Sequence, residues 1–396
     1  MPRPAVPAIA VTIARCFVAA AAVGYCVDLW QQTRDHLSNG AGRPFGDDFI
    51  NYWSAATLAF NGRAAEVYDF RAFHLFEQSV AGANLDYYHY SYPPVLLALT
   101  APLALMPYVP ALFAWLGAGW LAFYSALRLA APRSLLIALA APAVFVNAVG
   151  GQNGTWTAAL LAGGLGLVER RPYLAGVLFG LLVYKPHLGL LLPVALIAGR
   201  QWRAFAAAAV TACALIGASV ALYGLDVWRQ FAVNVTFLRH AILEDGSGVW
   251  HRMVSVFVAA RRLGAAVDVA YAAQAATALI AAVVVAFAWR RDHPLPVKAA
   301  VLLIATCFTT PYLQDYDLVF LVPAVLWLWH AAPAAMASDR QLQIACAVML
   351  LLPCLAAPFG TLTGLAFGPL LLMPAFLLAA RAALAAPHAA LESRPA

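Results

Sequence analysis

Asp47 and Asp48 stand side by side just ahead of a helix-patterned run from Phe49 to Phe60, which stops at Asn61-Gly62. A carboxylate so placed can take a proton from a hydroxyl in a transfer reaction. Three more polar groups interrupt long apolar runs. They are Gly150-Gly151-Gln152-Asn153, Lys185-Pro186, and Tyr312 with Gln314-Asp315-Tyr316-Asp317. A fifth, His251-Arg252, lies in a basic and aromatic stretch that also holds Trp228, Arg229 and Trp250. A lysine and an arginine facing carboxylates at a membrane edge suit an anion, a phosphate above all. Each group also has a plainer reading. Asp47 or Asp48 could only cap the helix from Phe49. Lys185 could only snorkel. Gln152 and Asn153 could only bond neighbouring helices. Asp315 and Asp317 could only staple the bundle by pairing with Lys185 or Arg252.

The elements that position these residues are membrane spans. Of 396 residues, 64% are apolar and 11% charged, and the mean hydropathy is +0.78. A soluble chain is nearer a quarter charged, so lipid must cover much of this surface. The apolar runs are long and do not alternate, which excludes a β-barrel and leaves helices. The fold expected is therefore an all-α integral membrane bundle, one polytopic domain over 1–396.

Arginine-rich corners orient the spans. They are Arg3, Arg128 to Arg133, Glu169-Arg170-Arg171, Arg200 to Arg203, Arg290-Arg291, Asp339-Arg340 and the tail from Arg381. Spans near 7–29, 109–130, 134–149, 153–168, 173–184, 187–199, 204–223, 266–289, 297–309, 318–334, 341–357 and 362–381 give about a dozen crossings. Both termini and the tail 382–396 are then cytoplasmic. Residues 92–107 fit as a re-entrant or interfacial helix. The segments 173–184 and 187–199 are short for a hydrocarbon core of about 30 Å and read as a pair broken at Lys185-Pro186. Two long outer loops remain, 30–91 and 225–265. The first carries an amphipathic stretch from Ala64 to Val80 that would lie on the interface. With corners chosen from arginines alone, all the polar groups above fall on the side opposite those corners.

The net charge of +6 follows this topology, and nucleic-acid binding is not expected. Cys16, Cys26, Cys213, Cys307, Cys346 and Cys354 show no metal-ligand spacing and read as small buried hydrophobes. The N-terminal run reads as an uncleaved span. No metal site or cofactor is expected. Alanine and arginine content fits a bacterial inner membrane, with the polar side facing the periplasm or exterior.

The run Asp48-Phe49-Ile50-Asn51-Tyr52-Trp53-Ser54-Ala55-Ala56, then Tyr68-Asp69, then Tyr92-Pro93-Pro94 with Ala101-Pro102-Leu103, resembles the first outer segment of family-87 glycosyltransferases. These belong to the GT-C superfamily and use polyprenyl-phosphate mannose. Gly151-Gln152-Asn153 resembles their glycine-glutamine turn. Gly176, Gly180 and Lys185-Pro186 resemble their lysine-proline segment. Thr310-Pro311-Tyr312 with Asp315-Tyr316-Asp317 resembles their late outer corner, although some members carry histidine where this chain has Tyr316. The resemblance implies a GT-C bundle with a catalytic carboxylate in the first outer loop, matched by Asp48 with Asp47 beside it. It implies a polyprenyl-phosphate hexose as donor and a lipid or glycan hydroxyl as acceptor. In that setting Lys185 and Arg252 would hold the donor phosphate. Tyr52, Tyr92, Gln152, Asn153, His251, Tyr312, Gln314, Asp315 and Asp317 would line the substrates. The rival class is a transporter or flippase, since broken helices and intramembrane charge serve transport too.

Overall fold

The computed structural model describes residues 8–132, 134–246, 248–331 and 339–384. Arg3, Arg133 and the tail beyond Leu384 fall outside them. The described residues form an all-α bundle, with no β-strand among them.

The chain enters as α1 (Ala8–Gln31) and reaches the first long connecting segment. There α2 (Phe49–Phe60) covers the run expected from sequence, and Gly62 follows with φ +74°. The amphipathic stretch is a 3-10 turn at Ala64–Tyr68 and then α3 (Phe70–Ala81). Asp69 caps α3 by accepting from the Arg71 and Ala72 amides, at 3.0 and 2.9 Å. Next, α4 (Pro94–Thr100) runs on as a 3-10 turn to Leu105. At about 1.5 Å per residue this piece is too short to cross a bilayer on its own.

The bundle then runs through α5 (Tyr108–Ala130), α6 (Leu135–Ala140), α7 (Pro142–Val149), α8 (Gly154–Leu167), α9 (Pro172–Leu181), α10 (Leu191–Ala198) and α11 (Trp202–Tyr223). The span expected over 134–149 is split by Pro142, which cannot continue a helix from α6. The second long connecting segment holds α12 (Leu225–Leu238), a turn at Trp250–Arg252 and α13 (Val256–Arg262). Then follow α14 (Val267–Arg290), α15 (Leu295–Thr306), α16 (Leu321–Ala331), α17 (Asp339–Thr363) and α18 (Gly368–Leu384).

Among the described residues, five helices are long and apolar enough to cross a membrane: α1, α5, α11, α14 and Arg340–Thr363 within α17. Other apolar helices are shorter and lie in broken pairs, such as Pro172–Tyr184 with Pro186–Ala198. At the centre lies α15, buried from Ala299 to Thr306 on every face between α14, α16 and α18. A helix that is apolar all round belongs in such a place. By contrast α1 buries none of its residues, and α11 buries only Ala204 and Ser219. Their apolar faces are what lipid covers. This corrects one expectation from sequence. Cys16, Cys26 and Cys213 lie on these open faces, and Cys354 is half-buried, so only Cys307 and Cys346 are core residues. An apolar run in a membrane chain can face lipid as readily as core.

Candidate active site

The local structure frees Asp48 for chemistry. Asp48 occupies the N-cap position of α2, yet its side chain makes no cap hydrogen bond. Asp47 before it takes a left-handed φ of 52°, which turns the two carboxylates apart. The Asp47 carboxylate is held by the Tyr88 hydroxyl at 2.8 Å and by Arg43 at 3.3 Å. Asp48 instead accepts a hydrogen bond from the Gln152 amide. Asp47 is thus an anchor, and Asp48 is the carboxylate turned toward the bundle.

Gln152 stands on the turn between α7 and α8, and that turn fits against the Asp47-Asp48 loop only because it carries glycine. Gly151 has φ +59°, and a Cβ there would lie 2.2 Å from the Gly46 carbonyl oxygen and 2.7 Å from Phe49 Cβ. At Gly154 a Cβ would lie 2.1 Å from the Tyr316 carbonyl oxygen. The turn is therefore wedged between the first long connecting segment and the late corner. Gly151→Ala is expected to destabilise the protein by about 1–3 kcal/mol, from strain and overpacking together. It should also lower activity more than Tm alone explains, because it pushes Gln152 off Asp48. Thermal unfolding and activity measured on one preparation check this.

From Gln152 a polar chain continues inward. Its side-chain oxygen accepts from the Tyr52 hydroxyl at 2.8 Å, and that hydroxyl lies 2.8 Å from the Tyr92 hydroxyl. Neighbouring Asn153, fully buried, accepts from Lys185 Nζ at 2.9 Å. Lys185 reaches it from the break between α9 and α10. A residue before proline is driven out of the helical region, and Lys185 has φ −139° and ψ 61°. Its ammonium also pairs with Asp317 at 2.5 Å, and both side chains are almost wholly enclosed. Asp317 in turn accepts from the Gln314 amide at 3.2 Å and caps the 3-10 turn Asp315–Phe320.

Arg252 closes the other side. Its Nε lies 3.2 Å from each Asp315 oxygen. Met253 forms a β-bridge with Gln314, and the Val254 amide donates to the Leu313 carbonyl at 2.9 Å, so two chain segments set the pair. Tyr316 lies between the two cations: Lys185 Nζ is 4.8 Å and Arg252 Cζ 5.5 Å from its ring centre. The ring holds two like charges apart while offering each a favourable face.

Burial, and then the neighbouring Asp47 carboxylate, push the Asp48 carboxyl up to about 7, against the pull of Arg252, Gln152 and Arg43. Burial works against the Arg252 charge, but Asp315, Asp48 and Asp47 outweigh it and raise its pKa. Asp48 can thus carry a proton or release it near neutral pH, opposite a fixed cation.

Of the residues singled out in the sequence, Asp47, Asp48, Tyr52, Tyr92, Gln152, Asn153, Lys185, Arg252, Gln314, Asp315 and Asp317 belong to this one constellation. Tyr312 stands at its border, its ring packed edge-on to His187. His251 points elsewhere and lines an apolar cavity of about 170 Å³ with Leu352, Phe359 and Leu371. Sequence reasoning missed Arg43, Gln32 and Asp28, which brace the Asp47 turn. The spacing Asp28-Gln32 and Arg43-Asp47, four residues in each case, was the available signal. It also missed Glu77, fully buried on α3, whose carboxyl burial and then Asp48 push well up.

The family model of glycosyltransferase family 87 matches residues 90–311, more than half of the chain. The chain belongs to glycosyltransferase family 87. It is a membrane glycosyltransferase, with a sugar donor and an acceptor as its substrates. No curated protein and no solved structure matches the chain. Within this family-87 chain the matched stretch includes Tyr92, Gln152, Asn153, Lys185 and Arg252. Asp48 and the Asp315–Asp317 corner lie outside it and join it through the contacts above.

Proposed function

We propose that this family-87 glycosyltransferase moves a hexose, mannose in the first instance, from a polyprenyl-phosphate donor to a lipid or glycan hydroxyl, with inversion at the anomeric carbon. Asp48 is the general base. As the acceptor O–H loses its proton to Asp48, the acceptor oxygen bonds to the anomeric carbon. The bond from that carbon to the phosphate oxygen breaks on the opposite face, and polyprenyl phosphate leaves with the electron pair. The phosphate gains one negative charge in this step, and a positioned cation favours that change most.

Arg252 is the cation for that role. Its side chain retains 21% exposure, whereas Lys185 retains 3%. Lys185 contributes positive potential from beneath, through its field rather than by contact. Gln152 orients Asp48, with Tyr52 and Tyr92 behind it. A site set within a bundle of apolar membrane helices suits a donor whose tail stays in the bilayer. The periplasmic face of a bacterial inner membrane is the corresponding location.

The observation that carries this reading is Asp48 itself: released from cap duty, directed by Gln152, and poised near neutrality opposite Arg252. The base must be ionised to act, so kcat/KM for transfer should rise with pH to a midpoint at about 7. An ordinary carboxylate would place that midpoint near 4. A pH profile of kcat/KM between about pH 3.5 and 9 decides between them; a midpoint at the low end would show that the base is an unperturbed carboxylate, and loss of the limb in Asp48→Asn tests whether Asp48 is that base.

A further inference from the structure

Beyond the site itself, the first membrane helix reaches the base through a chain of contacts. α1 buries none of its residues and rests on the short helices α6 and α7. Gln32, just past its end, is by contrast almost fully enclosed, at 1% exposure. Its side-chain oxygen accepts from the Gly46 amide at 2.8 Å, and its side-chain nitrogen donates to Asp28 at 3.0 Å. Arg43 grips the same Asp28 with both terminal nitrogens, at 2.7 and 3.3 Å. One of those nitrogens also lies 3.3 Å from Asp47. The left-handed Asp47 turn is therefore held from α1 at two points, the Gly46 amide and the Asp47 carboxylate. The next residue is Asp48.

We propose that Arg43 is a positioning residue for the transfer reaction: anchored on Asp28 of α1, it fixes the Asp47 turn and so aims Asp48 at Gln152. The proposal rests on the reading of Asp48 as the base. Arg43 touches no reacting atom. It acts by geometry, since a side chain that grips two carboxylates at once leaves the loop little freedom. It also acts by charge, because its guanidinium is one of the cations whose field favours ionised Asp48. α1 is then more than a membrane anchor.

The experiment compares Arg43→Gln, Arg43→Lys and Asp28→Asn with wild type in detergent. It measures kcat, the KM for each substrate, the pH dependence of kcat/KM and thermal unfolding. Arg43→Gln should lower kcat about 10–100-fold, as expected of a misplaced reacting group, with both KM values within about twofold. Its acid limb should move up by about half to one pH unit, because a lost cation makes Asp48 harder to ionise. Arg43→Lys should return the limb toward wild type while kcat stays low, since an ammonium cannot reproduce the two-pronged grip. Asp28→Asn keeps the cation and should lower kcat without raising the limb. A folded Arg43→Gln protein with wild-type kcat and an unmoved limb would overturn the proposal. So would a loss confined to KM. If Arg43→Gln fails to fold, Asp28→Asn carries the test, and wild-type kcat there overturns it. Asp48→Asn is run alongside. Wild-type transfer by that variant defeats the base assignment itself, which is a different failure from an active Arg43→Gln beside an inactive Asp48→Asn.

Discussion

Asparagine in place of Asp48 should abolish sugar transfer while the protein stays folded. Asn is nearly isosteric with a carboxyl group that is half protonated at about pH 7. It can still meet the Gln152 amide that Asp48 meets now. Asp48 makes no side-chain cap bond to α2, so the helix loses nothing with the substitution. The loss falls on proton transfer, which a positioned base accelerates by about 10²–10⁴. Activity should drop by at least that factor, with Tm within about two degrees of wild type. Asp47→Asn should behave differently. It weakens the contacts with Tyr88 and Arg43, and its effect should be smaller and partly a loss of stability. Equal losses in the two variants would mean that the pair shares the role.

The second large effect concerns Lys185. Methionine there should act first on the fold, because Asp317 is left buried without a counter-charge. The pair is 2.5 Å apart, with 3% and 1% side-chain exposure. Breaking a buried pair from one side typically costs about 3–5 kcal/mol. Adding Asp317→Asn removes the stranded charge yet leaves an oxygen for the Gln314 amide, which Asp317 now accepts. The double variant should recover most of the lost stability, and thermal unfolding of both singles and the double gives the coupling directly. Wild-type stability in Lys185→Met, with a raised donor KM, would instead show that the ammonium serves the donor and not Asp317.

Much of this site could be read from residue order, because membrane chemistry makes polar residues conspicuous. Gln152, Asn153, Lys185, Asp315 and Asp317 stand out in apolar surroundings, and each proves to be bonded within the site: Gln152 to Asp48 and Tyr52, Lys185 to Asn153 and Asp317, Asp315 to Arg252. Pairing of Asp315 and Asp317 with Lys185 or Arg252 was also among the plainer expectations, though not which acid meets which base. The break at Lys185-Pro186 followed from two flanking segments each short for a bilayer core, between arginine corners that belong on the same side. What could not be read was division of labour. Nothing in adjacent Asp47 and Asp48 says which is anchor and which is free; that depends on a left-handed φ at Asp47 and on Tyr88, some forty residues away. His251 was expected to line the substrates beside Arg252, but it lines an apolar cavity while Arg252 pairs with Asp315. The cysteines were misread because hydropathy does not separate a core-facing position from a lipid-facing one.

We propose above that this family-87 enzyme takes its sugar from a polyprenyl phosphate, with Asp48 as base. The most direct measurement offers radiolabelled polyprenyl-phosphate mannose, and separately polyprenyl-phosphate glucose, to the purified protein in nanodiscs with membrane lipid extract, for wild type and Asp48→Asn. Label from one donor entering a new product with wild type, and not with Asp48→Asn, is the predicted result. Absence of transfer, hydrolysis and binding with either donor, or equal transfer by both proteins, would contradict it.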